Sequence, residues 1–191
     1  MIFMKKKGAT SDGITFAEAI ISVTILIIIL LALVYLYSNF TKVYNYQQAV
    51  MNLSGSARAA ANELQSTALQ ADKIVASHNF SGTTYSSDQD TLVLEIPSVD
   101  NQGNIVDDKY DYAVFYLTGR NLYKLIQSDA ASSRPSGLQQ LCDSVETITF
   151  VYNNADLSLA NKIDTDIEMQ TMTRRQTVLY NLSQDIYLRN L

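Results

Sequence analysis

The sequence predicts an α+β protein: a long N-terminal α-helix, membrane-spanning in its first half, packs by its second half on an antiparallel β-sheet. Three observations lead there. Ala19 to Leu36 reads AIISVTILIIILLALVYL, with no charge, glycine or proline. From Ile14 to His78 there is no proline and a single glycine, Gly55, so nothing in that stretch breaks a helix. Beyond Asp90 the apolar residues alternate with polar ones, the period of half-buried strands.

At about 1.5 Å per residue the apolar run makes a helix about 27 Å long, close to a bilayer core of about 30 Å, and the span is drawn at about residues 17–37. Its polar members, Ser22 and Thr24, can bond back to their own helix carbonyls. Lys5, Lys6 and Lys7 precede the run and Lys42 alone follows nearby. The excess of positive charge therefore places the N-terminus in the cytoplasm and the body outside. A secretory signal peptide has a shorter apolar region ending in a small-residue site, which YLYSNFTKVYNY lacks. A plain signal anchor needs only length and flanking charge. Neither accounts for Glu18, a carboxylate at the lip of the span.

After the span the pattern becomes amphipathic. Val43, Val50, Ala57, Leu64 and Ala71 recur every seventh residue, with Tyr46, Leu53, Ala60, Thr67 and Ile74 three places on from each. A coiled coil also has such a stripe, but the paired charges that flank one are missing. Small residues suit a helix lying close against a sheet. The helix is expected to run to about residue 78, a rod of roughly 95 Å. SHNFSGTTYSSDQD then reads as a polar loop. Strands are expected at DTLVLEIPS, stopping at Pro97; at YDYAVFYL and NLYKLI, a hairpin around Thr118-Gly119-Arg120; at VETITFVYN; and at KIDTDIEMQTMT and QTVLYNLSQDIYLRN, joined at Arg174-Arg175. Together they make one antiparallel sheet of five to seven strands.

The formal charge is −5; the three lysines less Asp12 give the first thirteen residues +2, leaving −7 on the rest. An acidic body argues against nucleic-acid binding, which needs clustered Lys and Arg. Cys142 and His78 are each alone, so no intramolecular disulfide forms and zinc sites built from these ligands are excluded. No metal or other cofactor is expected. Asp100 to Asp108, DNQGNIVDD, invites a calcium hypothesis, although its spacing is not that of an EF-hand; a glycine-containing loop between strands is the simpler reading. The sequence has no nucleophile elbow, phosphate loop, H-E-x-x-H or dinucleotide fingerprint. His78 and Cys142 read as a loop histidine and a half-buried thiol rather than a catalytic pair, and the expectation is a protein that is not an enzyme. Of twelve tyrosines, Tyr110, Tyr112, Tyr116 and Tyr123 fall at strand spacing and read as packing residues; exposed ones would make an adhesive face.

The stretch DGITFAEAI, with its basic leader and charge-free apolar run, resembles the type IV prepilin signal. In that family a short basic leader ends in Gly, and the mature chain has Glu as its fifth residue. The family usually begins its mature chain with Phe; here Ile14 takes that place and the aromatic is Phe16. The resemblance covers about 25 residues and implies the following. Residues 1–13 are a cytoplasmic leader peptide, with Lys5, Lys6 and Lys7 as its topology signal. A prepilin peptidase cuts between Gly13 and Ile14, and the same enzyme family methylates the freed amine of Ile14. Residues 14–78 form the long helix and 79–191 an extracytoplasmic β-sheet domain, as in pilins; the layout is similar to the larger minor pilins and to the J-type pseudopilins of type II secretion. The implied function is that of a structural subunit drawn from the cell membrane into a pilus or pseudopilus. Its partners would be other pilin or pseudopilin subunits, the prepilin peptidase and an inner-membrane assembly platform. Glu18 would pair with the N-terminal amine of a neighbouring subunit. Unpaired, such a carboxylate costs about 3 kcal/mol on insertion scales. The alternative is a signal-anchored extracytoplasmic binding or adhesion module that never enters a filament, in which Glu18 should be dispensable.

Overall fold

The computed structural model describes residues 14–174 and 176–189. The described residues form two compact units, one ending at Asn45 and the other beginning at Tyr46. Helix α1, Phe16–Ala68, begins in the first and ends in the second.

In the first unit, α1 presents its apolar side chains all round: Ile20, Ile21, Val23, Ile25 and the others up to Leu36 are each at least half exposed. A helix apolar on every face belongs in an apolar surrounding. This one is long and apolar enough to cross a membrane. Ser22 Oγ donates to Glu18 O and Thr24 Oγ1 to Ile20 O, each at 2.8 Å, so the expected back-bonds keep both hydroxyls satisfied within the helix.

In the second unit the end of α1 lies on antiparallel strands, and the class is α+β as expected. Leu53, Ala57, Ala60, Ala61, Leu64 and Ala68 are buried, whereas no described residue before Leu53 is. The strands are β1 (Lys73–Ile74), β2 (Ser77–Phe80), β3 (Thr83–Ser86), β4 (Thr91–Val99), β5 (Ile105–Thr118), β6 (Asn121–Gln127), β7 (Gly137–Cys142), β8 (Val145–Tyr152), β9 (Lys162–Thr173) and β10 (Gln176–Tyr187). They form a five-stranded sheet ordered β1-β4-β5-β6-β7, a three-stranded sheet ordered β10-β9-β8, and the hairpin β2-β3. The single sheet expected from sequence is thus divided. The break falls at Asp143-Ser144, where Ser144 takes a left-handed backbone (φ 63°) and the chain turns from β7 into β8.

One face of the five-stranded sheet supplies Leu92, Leu94, Ile96, Ala113, Phe115 and Leu122 to a core shared with the helix and with Ile148, Phe150, Ile163, Ile167 and Ile186 of the smaller sheet. The alternate residues, Val93 and Val114, face the other way, where Phe80 of the hairpin covers them. Polar contacts also tie helix to strands: Lys124 Nζ meets Glu63 Oε1 at 2.6 Å, and Gln184 Nε2 donates to Gln65 Oε1 at 2.7 Å.

Three boundaries depart from expectation. Helix α1 ends at Ala68, not at residue 78. Ala71 and Ile74 are buried as the stripe requires, but from a turn and from β1: Asp72 N donates to Glu95 O, and Ile74 lies opposite Leu94. The segment read as a polar loop holds hairpin β2-β3, turning at Ser81-Gly82 with φ of 50° and 105°. Two successive positive φ values make the tight turn that suits strand twist, and Asn79 Oδ1 accepts from Gly82 N at 2.7 Å. Finally, β4 does not stop at Pro97. It continues to Val99 through an irregular register, because β1 pairs only with Glu95 and Leu94 and the flank of Pro97 needs no donor.

Candidate functional site

Of the residues that carried the sequence reading, Ile14 and Glu18 are described, and they lie at the first turn of α1. Thr15 precedes the helix and Glu18 lies three residues on. Glu18 Oε2 accepts from Thr15 N at 2.9 Å and from Thr15 Oγ1 at 2.9 Å; Glu18 N donates to Thr15 Oγ1 at 3.3 Å. This is a capping box, in which the two side chains satisfy each other's backbone donors at the otherwise unpaired helix start. Its signal, T-F-A-E, is legible in the sequence and the expectation overlooked it. A carboxylate also suits this end of the helix dipole. Ile14, 81% exposed, stands immediately outside the turn. Ile14, Thr15 and Glu18 are thereby brought together; Gly13, Lys5, Lys6 and Lys7 lie outside the described residues. Among the described residues, Glu18 Oε1 makes no hydrogen bond.

The other candidates sit in the body. His78 stacks on Tyr112 at 3.6 Å between ring centroids and meets Phe80 edge-on, on the hairpin side of the sheet. Cys142 belongs to the core under the helix. The two are not brought together. Burial lowers the pKa of His78, against the opposing charge of Glu95, and pushes that of Cys142 up to about 11. A thiol held protonated in apolar surroundings is a packing group, not a nucleophile. Of the four tyrosines expected to pack, Tyr112, Tyr116 and Tyr123 do, whereas Tyr110 is exposed; Tyr116 lies 5.8 Å from Tyr123 and 4.8 Å from Tyr85 of the hairpin, which the expectation did not include. Tyr112 Oη donates to Glu95 Oε2 at 3.1 Å, while Glu95 Oε1 meets Lys73 Nζ at 2.8 Å.

Asp100 starts the β4–β5 turn with its Oδ1 accepting from Gln102 N at 2.8 Å and Asn104 N at 2.9 Å, and these bonds lower its pKa. The carboxylate works as a turn cap. Among the described residues no group of three His, Cys, Asp or Glu is placed to hold a metal ion.

No known family model matches the chain, and no curated protein does. The architecture, a long apolar N-terminal helix followed by an antiparallel sheet packed on the helix end, is compatible with a pilin-like fold.

One polar centre escaped the sequence reading. Asp111, fully buried in β5, accepts from Ser98 Oγ and Ser132 Oγ at 2.8 Å each and from Asp129 N at 2.9 Å, and forms an ion pair with Arg134. It ties the loop between β6 and β7 down on β4 and β5. No local motif marks it, since its partners come from separate parts of the chain. The centre is fully paired within itself and reads as a structural staple.

Proposed function

We propose that the chain is a structural subunit, a minor pilin or pseudopilin, of a type IV pilus-like filament. In this reading prepilin peptidase cuts between Gly13 and Ile14, the new amine of Ile14 is methylated, and the body stands on the extracytoplasmic side of the cell membrane. An assembly platform then draws the subunit into a filament whose core is made of packed N-terminal helices.

The observation that carries the reading is the first turn of α1. A helix whose apolar side chains are exposed on every face has a carboxylate in its first turn, beside the residue that becomes the N-terminus. The capping box uses Glu18 Oε2 and leaves Oε1 directed to no described partner. One oxygen can hold the helix start while the other receives the charged amine of a neighbouring subunit, a pairing that fixes axial register. For a plain anchor the capping box would suffice with Gln in place of Glu, because an amide oxygen accepts the same bonds.

Mass spectrometry of the mature N-terminus tests the processing step. The expected species begins at Ile14 and carries a methyl group; a chain that keeps Gly13 overturns the proposal. Glu18→Gln tests assembly. The variant should be processed normally and accumulate in the membrane while its incorporation into filaments falls at least about tenfold, the effect of about 1.4 kcal/mol of lost pairing. Undiminished incorporation would favour the unassembled binding module.

A further inference from the structure

We propose that Tyr35, Tyr37, Phe40 and Tyr44, with Lys42, form a headgroup anchor that sets the depth of α1 in a phospholipid bilayer and keeps Glu18 at the opposite boundary. The inference rests on the reading of α1 as a membrane span. Tyr35, Tyr37, Phe40 and Tyr44 are 71%, 76%, 71% and 64% exposed. They begin where the purely aliphatic run stops. Phe16 to Val34 rises about 27 Å, close to the roughly 30 Å of the hydrocarbon layer, so the residues from Tyr35 onward emerge into the headgroups. Tyr has an apolar ring and a polar tip, which suits that layer, and Lys42 can extend its ammonium to the phosphates.

The arrangement around the helix selects lipid over a single neighbouring helix as the occupant. Tyr37, Phe40 and Tyr44, at i, i+3 and i+7, share one face. Tyr35 and Lys42, seven apart, share another, turned roughly half a revolution away at 3.6 residues per turn. One partner helix covers one face, whereas a headgroup layer surrounds the helix and meets both.

A consequence follows for the first turn. Glu18 lies about 28 Å along the helix from Tyr37, which places it within about one turn of the far edge of the hydrocarbon. There water and the Thr15 cap both reach the carboxylate. Displacing the helix towards the body side by one turn, about 5 Å, carries Glu18 into hydrocarbon, where a charge needs a partner. The anchor therefore opposes extraction until an amine is available.

The chain has no tryptophan, so one introduced residue reports alone. Full-length Tyr37→Trp and Ile27→Trp would be reconstituted in phosphatidylcholine–phosphatidylglycerol vesicles containing lipids brominated near the headgroup or near the bilayer centre. At position 37 the shallow bromines should quench more strongly; at position 27 the deep ones should. Quenching of both by deep bromines, or of position 27 alone, overturns the anchor and leaves the span intact. Quenching at neither position sinks the membrane reading itself. In a second arm, Tyr35→Ser, Tyr37→Ser, Phe40→Ser and Tyr44→Ser are combined with Ile27→Trp. The ratio of deep to shallow quenching should shift, and an unchanged ratio shows that the aromatics do not set the depth.

Discussion

Single residues in the body differ in how much they matter according to what would be left behind on their removal. Asp111 has no solvent access, and Arg134 supplies its only ion pair among the described residues. Arg134→Ala strands a buried carboxylate, for which a loss of about 3–5 kcal/mol is typical, and urea unfolding should read a shift of that order. Arg120, by contrast, pairs with Glu146 at 3.4 Å with both side chains half exposed, and cutting that pair should change stability by less than about 1 kcal/mol. His78 adds a pH dependence of known sign. Its folded pKa lies below the ordinary value of about 6.5, so the unfolded chain binds the proton more readily. Stability should hold above that value, decline as pH falls from about 6.5 through the lower folded pKa, and then level off. His78→Gln should flatten that step in a pH series of thermal midpoints; an unchanged step would assign it elsewhere. None of these partnerships is visible in sequence. Asp111 meets Arg134 only because the β6–β7 loop folds back, and nothing near either residue announces it.

At the scale of elements, sequence and structure agree where periodicity is tied to chemistry and part where periodicity stands alone. Strands β4, β5, β6, β8, β9 and β10 are legible, because β-branched, aliphatic and aromatic residues recur between turn residues. Leu53, Ala57, Ala60, Leu64 and Thr67 of the stripe on α1 are buried as expected, but its first members, Val43 and Tyr46, are exposed, because the body does not reach that far up the helix. The same stripe carried the helix too far, since Ala71 and Ile74 enter the core from a turn and a short strand, and burial at the right spacing does not record backbone conformation. The β2–β3 hairpin is hidden because Phe80 and Tyr85 are the only large apolar residues in its two short strands and the polar residues around Ser81-Gly82 resemble a loop. Two variants test the packed face of the helix. Ala60, 1% exposed, has no room to grow, and Ala60→Leu should lose about 1–3 kcal/mol while the exposed neighbour Ala59→Leu stays within about 0.5 kcal/mol. Gly55 lies inside α1 with nothing within 4 Å of where a Cβ would stand. Gly55→Ala should therefore raise stability by about 0.5–1 kcal/mol through the unfolded chain alone, and a loss would show that the position packs against something.

For the molecule as a whole, the distribution of burial separates what anchors from what folds. Every buried residue described lies from Leu53 onward, and both hydrophobic clusters are complete within residues 46–191. Residues 14–45 present apolar side chains that no described residue buries. Their free energy is therefore spent on a surrounding, whether bilayer or neighbouring helices, and contributes little to holding the body together. A chain beginning at Tyr46 should then fold cooperatively, stay in solution without detergent, and unfold at a urea midpoint close to that of the full-length protein measured in micelles. The lost first half of the helix removes no core side chain, and only the fraying of a new helix end, over about one turn, offsets this. The same truncation should abolish association with vesicles. If the shortened body instead aggregates or melts without a cooperative transition, the first half of α1 must support the fold by contacts within the chain, and its exposed apolar surface would need another account.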